Sequence, residues 1–289
     1  MAAVLQIEGL TKSYPAFCLD NVSLSIPQGT IVGLIGENGA GKTTTINLII
    51  HAIEKDAGNI LVFGKDNLLY EKEIKQCVGI VQDECNLPLM FTITDIEAVM
   101  KRIYTNWDHL RYRDLIYQFN LPMNQQLSSF SKGMKLKLNF AIALAHNSKL
   151  LLLDEATSSL DPVMRDEILD LLLDFVQDEE NGVLFSTHIT SDLSKIADYI
   201  AFLHEGKLLF CKPKDDLIYN YGLIHCGKEQ FVKLACDDIV AWRKQDYEYQ
   251  VLVANRREAA RKYRDYVIDP ATLDEMMLLL IRGEKRCLD

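Results

Sequence analysis

No apolar run in the sequence approaches the roughly 20 residues that a membrane-crossing helix requires, so any membrane-embedded part must come from other chains. Paired cysteine spacing is missing as well. The seven cysteines, Cys18, Cys77, Cys85, Cys211, Cys226, Cys236 and Cys287, include no C-x-x-C and are odd in number. Such scatter suits a reducing cytosol and supports neither a disulfide frame nor a zinc site. Basic charge is scarce beside acidic: the net charge of −10 argues against non-specific binding of nucleic acid, whose phosphates need a basic surface. The opening residues MAAVLQIEGL carry Glu8 and have no basic segment ahead of a long apolar core, so a signal peptide is not expected. Repeats and low-complexity tracts are also lacking. What is left is an ordinary globular composition, 48% apolar and 25% charged in 289 residues, enough for one large domain or a medium one with a small companion.

The stretch that is most informative is IVGLIGENGAGKTTT, residues 31–45. Gly36, Gly41, Lys42 and Thr43 satisfy G-x-x-x-x-G-K-[ST] after a short apolar run and before residues able to begin a helix. That is the strand, loop, helix setting of a phosphate-binding loop. Small residues, here Gly36, Gly39, Ala40 and Gly41, let successive backbone N–H groups approach phosphate oxygens, and the following helix adds its positive N-terminal end. Lys42 is placed to reach β- and γ-phosphates, and the Thr43 hydroxyl to hold Mg²⁺. Residues 149–155, KLLLLDE, read as a fully apolar strand at the centre of a parallel sheet. Its terminal carboxylates fall where ligands bind in open α/β sheets: Asp154 is expected to reach Mg²⁺, directly or through water, and Glu155 to polarise an attacking water. His188 follows the strand at 183–186 and sits where a γ-phosphate contact is possible, though a lone histidine is often structural.

In chain order, residues 4–10 and 18–26 alternate as two antiparallel strands, with Tyr14 in the loop between them, either stacking on an adenine face or simply packing. Residues 44–53 read as a helix, 59–63 as a strand, 71–75 as a short helix and 78–81 as a strand ending at Gln82. From about 83 to 146 the pattern turns helical: 95–104 behind a cap at Thr94–Asp95, 112–119, and a helix capped by Ser131. Pro162 opens a helix over 163–177; 191–198 is helical, and 199–204 and 207–211 are strands around Glu205–Gly206. Beyond 212 the pattern weakens. Segments 228–235, 249–253 and 256–265 are short elements of mixed type, and 272–281 is a terminal helix.

Taken in this order the pieces resemble the ATP-binding cassette of ABC transporters over residues 4–211. The phosphate loop at 36–44 matches the Walker A motif, Gln82 the Q-loop, FSKGM at 130–134 the signature, LLLLDE at 150–155 Walker B, Ser159–Leu160–Asp161 the D-loop, His188 the switch histidine and Tyr14 the aromatic A-loop. The signature departs from the usual LSGGQ: Lys132 and Met134 replace its first glycine and its glutamine. SKGMK, with TLDEMMLLL at 272–280, looks like the variant of ABC-2-type bacterial exporters such as those for bacitracin and phenol-soluble modulins. The resemblance implies an α/β P-loop NTPase (RecA-like) core with an N-terminal antiparallel β-subdomain, an α-helical insertion at about 83–146 and, at 212–289, a small C-terminal α+β appendage.

It further implies ATP and Mg²⁺ as ligands. Tyr14, Gly36, Asn38, Gly39, Gly41, Lys42, Thr43, Thr44, Ser131, Gly133 and Asp161 would contact nucleotide, Thr43, Gln82 and Asp154 would face the metal, and Glu155, His188 and Gln82 would serve hydrolysis. Two cassettes, identical or different, would sandwich two ATP molecules head to tail at the inner face of the cell membrane. A membrane permease of ABC-2 type would dock near 83–105, and a peptide, antibiotic or other amphipathic cargo would leave. Two rival classes are a soluble cassette ATPase outside transport and a non-hydrolytic nucleotide-dependent regulator; the first would usually carry a second cassette or a very long insertion.

Overall fold

The computed structural model describes residues 2–83, 86–158 and 160–284. By contacts the chain divides into two compact units, Met1–Cys211 and Lys212–Asp289.

In the first unit, alternation sends Leu5, Ile7 and Leu10 to one side of β1 (Ala3–Tyr14), and Leu19, Val22, Leu24 and Ile26 to the same side of β2 (Phe17–Pro27). The two strands pair antiparallel down to Tyr14 opposite Phe17. Tyr14 therefore ends a strand and does not lie in a loop; the turn is only Pro15–Ala16. Next come β3 (Thr30–Ile35), α1 (Lys42–Ile49), β4 (Ala57–Val62), β5 (Lys65–Asp66), α2 (Glu71–Cys77) and β6 (Val78–Gln82). The helix expected at 44–53 is shifted toward the N-terminus. Gly41, in a left-handed conformation, hands Lys42 the first helical position, and His51, at φ 54°, ends the run.

The helical insertion consists of α3 (Ile93–Ile103), α4 (His109–Gln118) and α5 (Lys132–Ala145). Thr92, not Thr94, caps α3: its Oγ1 accepts from Asp95 N–H, and the Asp95 carboxylate accepts from Thr92 N–H in return. Asp108 caps α4, so that helix starts earlier than residue 112. The core resumes with β7 (Leu150–Asp154), α6 (Pro162–Phe175), β8 (Gly182–Ser186), α7 (Thr190–Ile196), β9 (Tyr199–His204) and β10 (Lys207–Pro213).

Two sheets result. One is four-stranded, in the order β2-β1-β4-β5; the other is six-stranded, β10-β9-β3-β8-β7-β6. In the larger sheet β3 runs parallel to β8 and β9, and β7 parallel to β6 and β8. Every residue of β7 and β8 is buried, which is why both read as unbroken apolar runs. Strand β7 is interior, one place in from the β6 edge. Each fully buried leucine of LLLL contributes about 1.5–3 kcal/mol. Val4, Ile7 and Ile60 of the smaller sheet share one apolar cluster with Ile46 of α1 and with Leu152 and Leu184 of the larger. The register then matters for chemistry. Leu34 pairs with Ser186, Ser186 with Asp154, and Asp154 with Gln82, so four parallel strands deliver their C-terminal ends in one row.

The second unit contains α8 (Lys214–Asn220), β11 (Gly222–Cys226), α9 (Lys228–Phe231), β12 (Ile239–Gln245), β13 (Glu248–Val253), α10 (Arg256–Lys262), β14 (Val267–Pro270) and α11 (Leu273–Arg282). Its antiparallel sheet, in the order β12-β13-β11-β14, carries a core in which Phe231, Trp242 and Tyr249 stack together. Cys18, Cys77, Cys211 and Cys226 are free.

Candidate active site

The loop between β3 and α1 takes its shape from its glycines. A Cβ on Gly36 would overlap the Leu203 carbonyl oxygen, and Gly39 and Gly41 hold φ 84° and 110°. Backbone meets backbone at Gly36, so neither side can yield. Gly36→Ala is expected to destabilise the chain by about 1–3 kcal/mol, measured by urea unfolding without nucleotide. Below this loop lies a cavity of about 530 Å³, lined by Ala16, Phe17, Glu37, Asn38, Gly39, Gly41, Lys42, Thr43, Thr44 and Glu155. A cleft that meets the start of a helix through glycine-rich backbone suits an anion.

Lys42 is buried, and its Nζ donates to the carbonyls of Gly36 at 2.8 Å and Glu37 at 3.2 Å. The same ammonium lies 3.2 Å from Glu155 Oε1. Glu155 follows β7 at φ 52°, with its N–H donating to the Ser186 carbonyl. This left-handed step turns the carboxylate out of line with the strand. Its other oxygen, Oε2, is 2.7 Å from His188 Nδ1, so Lys42, Glu155 and His188 form a continuous polar chain across the ends of β3, β7 and β8. Asp154 is buried and accepts from the Ser186 hydroxyl at 3.1 Å. Asp83 N–H donates to the Asp154 carbonyl, and the Gln82 side chain accepts from Asn86.

The structure therefore gathers Gly36, Asn38, Gly39, Gly41, Lys42, Thr43, Thr44, Asp154, Glu155, His188 and Gln82 along one end of the sheet. Of these, Asn38, Gly39, Gly41, Lys42, Thr43, Thr44 and Glu155 line the cavity, while the remaining expected residues, Tyr14, Ser131, Gly133 and Asp161, neither line it nor end a strand of the larger sheet. Tyr14 is 42% exposed, with its ring 6.5 Å from that of Phe17 and the Lys12 ammonium over it at 5.7 Å. Ser131 caps α5 by accepting from Met134 N–H, and Asp161 caps α6 by accepting from Val163 and Met164 N–H. Gly133 is overlaid by Met164, whose thioether would collide with a side chain there. Ser159 lies outside the described residues, as do Glu84 and Cys85 of the expected permease groove.

Two groups escaped the sequence reading. Phe17 lines the cavity; its signal was available, since it opens the strand that pairs across the hairpin from Tyr14. Asp192, buried on α7, accepts from the Thr157 hydroxyl at 2.8 Å and lies 3.9 Å from Arg165 Nε. Burial raises its pKa above the usual carboxylate value, against the pull of Thr157 and Arg165. It ties the loop after β7 to the helix after His188, and nothing local in the sequence announces that.

Among the described residues no cluster of three or more His, Cys, Asp or Glu side chains is set to hold a metal alone. The Asp154 carboxylate stands beside Gln82 across the strand pair, and Thr43 lines the cavity with its hydroxyl as an oxygen donor. That oxygen set fits Mg²⁺ shared with phosphate oxygens.

Comparison with known proteins agrees with this geometry. The family model described as ABC transporter matches residues 19–158. The bacitracin transport ATP-binding protein BcrA of Bacillus licheniformis is 30% identical over 75% of this chain and 72% of its own length. The lantibiotic transport ATP-binding protein SrtF of Streptococcus pyogenes is 30% identical over 73% and 92%. The chain is an ABC transporter ATP-binding subunit. The ABC transporter ATP-binding protein YtrB of Bacillus subtilis matches it nearly end to end, at 28% identity over 93% of this chain and 94% of its own. A solved ATP-binding subunit of an ABC transporter superposes with a TM-score of 0.68 at 26% identity, covering 74% of this chain and 91% of that one. The ABC fold is thus a P-loop NTPase fold, and the family is one of ATPases. ABC ATP-binding subunits bind ATP, generally with Mg²⁺, dimerise, and work with membrane permeases. No helix among the described residues is long and apolar enough to cross a membrane.

Proposed function

We propose that this ABC subunit hydrolyses MgATP at two seams of a cassette dimer and so drives a bacterial exporter. The carrying observation is the Lys42–Glu155–His188 chain beneath the glycine loop. Residues 1–211 act as the cassette, with 212–289 as an accessory domain. Backbone N–H groups of the loop and the Lys42 ammonium bind the β- and γ-phosphates, and the aromatic pair Tyr14 and Phe17 at the hairpin serves the base. Thr43 and Asp154 would hold Mg²⁺, with Gln82 facing it, and the metal when bound would neutralise phosphate charge. Glu155 accepts a proton from the attacking water, oriented by His188, which also contacts the γ-phosphate. Ser131, Gly133 and Asp161 act across the seam on the partner's nucleotide. Phosphate contacts from both chains exist only when the dimer is closed, so ATP favours closure and hydrolysis permits opening.

The bacitracin and lantibiotic relatives support a peptide, antibiotic or other amphipathic cargo. We assign the permease to the ABC-2 type and the subunit to the inner face of the membrane. The seam is tested by mixing two inactive chains. Lys42→Ala removes the phosphate lysine, and Ser131→Asp keeps a helix-capping side chain while putting a carboxylate against the partner's phosphates. In the mixture, one seam of each mixed dimer retains both intact halves. Phosphate release then recovers to roughly a quarter of the unmodified rate, since about half of randomly paired dimers are mixed. No recovery would reject a shared site.

A further inference from the structure

Lys132, at the signature position usually held by glycine, has a partner within its own chain: its ammonium forms an ion pair with Asp83. Asp83 comes directly after Gln82, and its N–H is bonded to the carbonyl of Asp154. One residue thus touches the chain's own phosphate site through its backbone and the start of α5 through its side chain. Helix α5 is 14 residues long, with no acidic residue in its first turn. Its N-terminal end, with Lys132 at the first helical position, is therefore cationic. The Lys132 side chain is 51% exposed. An ion pair so open to water is weak and gives way to a phosphate bearing more charge than a carboxylate.

We propose that Asp83 and Lys132 form an exchangeable latch that links the two half-sites of one chain. Within one chain Asp83 holds Lys132. When the partner's nucleotide reaches the end of α5, its terminal phosphate takes the ammonium, and Asp83 is released beside Gln82 and Asp154. Occupancy at one seam is thereby reported to the phosphate site of the other. This explains why the chain carries a lysine where the usual signature has glycine. It rests on the proposed reading that the partner's nucleotide lands on α5.

The test is a double-mutant cycle in the full chain carrying Glu155→Gln, which holds ATP without turnover. Asp83→Asn and Lys132→Met are made singly and together, and MgATP-driven dimerisation is followed by sedimentation. Asp83→Asn frees the ammonium for phosphate and lowers half-saturating MgATP by roughly threefold, the range of an exposed ion pair. Lys132→Met raises it by at least as much. In the Lys132→Met background, Asp83→Asn has a clearly smaller effect on half-saturating MgATP. Thermal melting of all four chains without nucleotide verifies folding and reads the coupling of the pair directly. An Asp83→Asn shift of equal size in both backgrounds, or none in either, overturns the latch while leaving the ATPase reading intact. Failure of the unmodified chain to bind MgATP overturns that reading, and the latch with it.

Discussion

Glu155→Gln lowers turnover by roughly 10²–10⁴-fold and at the same time tightens MgATP binding. The first effect follows from losing the carboxylate that accepts the water's proton; an amide of the same shape cannot. The second follows from the contacts Glu155 makes within its own chain. Glu155 Oε1 sits 3.2 Å from the Lys42 ammonium and Oε2 2.7 Å from His188, so arriving phosphates must compete with a resident anion for the same cation. Gln removes that competitor. A structural role alone would weaken binding or leave it unchanged. Single-turnover phosphate release and equilibrium ATP binding, measured on the same preparation, separate the two. Hydrolysis at the unmodified rate would end Glu155's assignment.

Lys42→Ala weakens ATP binding by roughly 10²-fold, in line with loss of a charge-assisted phosphate contact of about 2–3 kcal/mol. It also destabilises the empty chain. Two loop carbonyls lose their donor, and Glu155 loses its counter-charge in a site where the Lys42 and Glu155 side chains are only 6% and 21% exposed. The consequences separate in the double variant. Adding Glu155→Gln to Lys42→Ala recovers part of the lost stability by removing the unpaired charge, yet leaves ATP binding weak. Calorimetric melting reads the first and a nucleotide titration the second. Recovery of both together would mean that Lys42 serves the fold rather than the ligand.

Much of this site is legible because its parts are short, local and chemically strict. A left-handed glycine before a lysine, or two carboxylates behind four leucines, carries the same meaning wherever the chain places it. The errors arose where a partner distant in sequence decides. SYPAF has the composition of a turn and so suggests a loop at Tyr14; pairing with Phe17 instead stretches the strand to its edge. The link from Thr157 to Asp192 spans 35 residues and has no local signature. The second unit was harder still. Strand β12, IVAWRKQ, is apolar for half its length and polar for the rest, and β14, VIDP, is largely exposed. Pairing with neighbours, not alternation, makes them strands.

The aligned strand termini of the larger sheet restrict how such a chain can diverge. Gain or loss of a single residue within β6, β7 or β8 would carry its terminal side chain about 3.3 Å along the axis and turn it to the opposite surface. Substitutions inside these segments are judged only by volume, whereas a change of length is judged at once by chemistry. Insertions and deletions are accordingly expected only in the connections that lead into the strands, and the distance from each strand's first residue to its reactive end works as a fixed ruler.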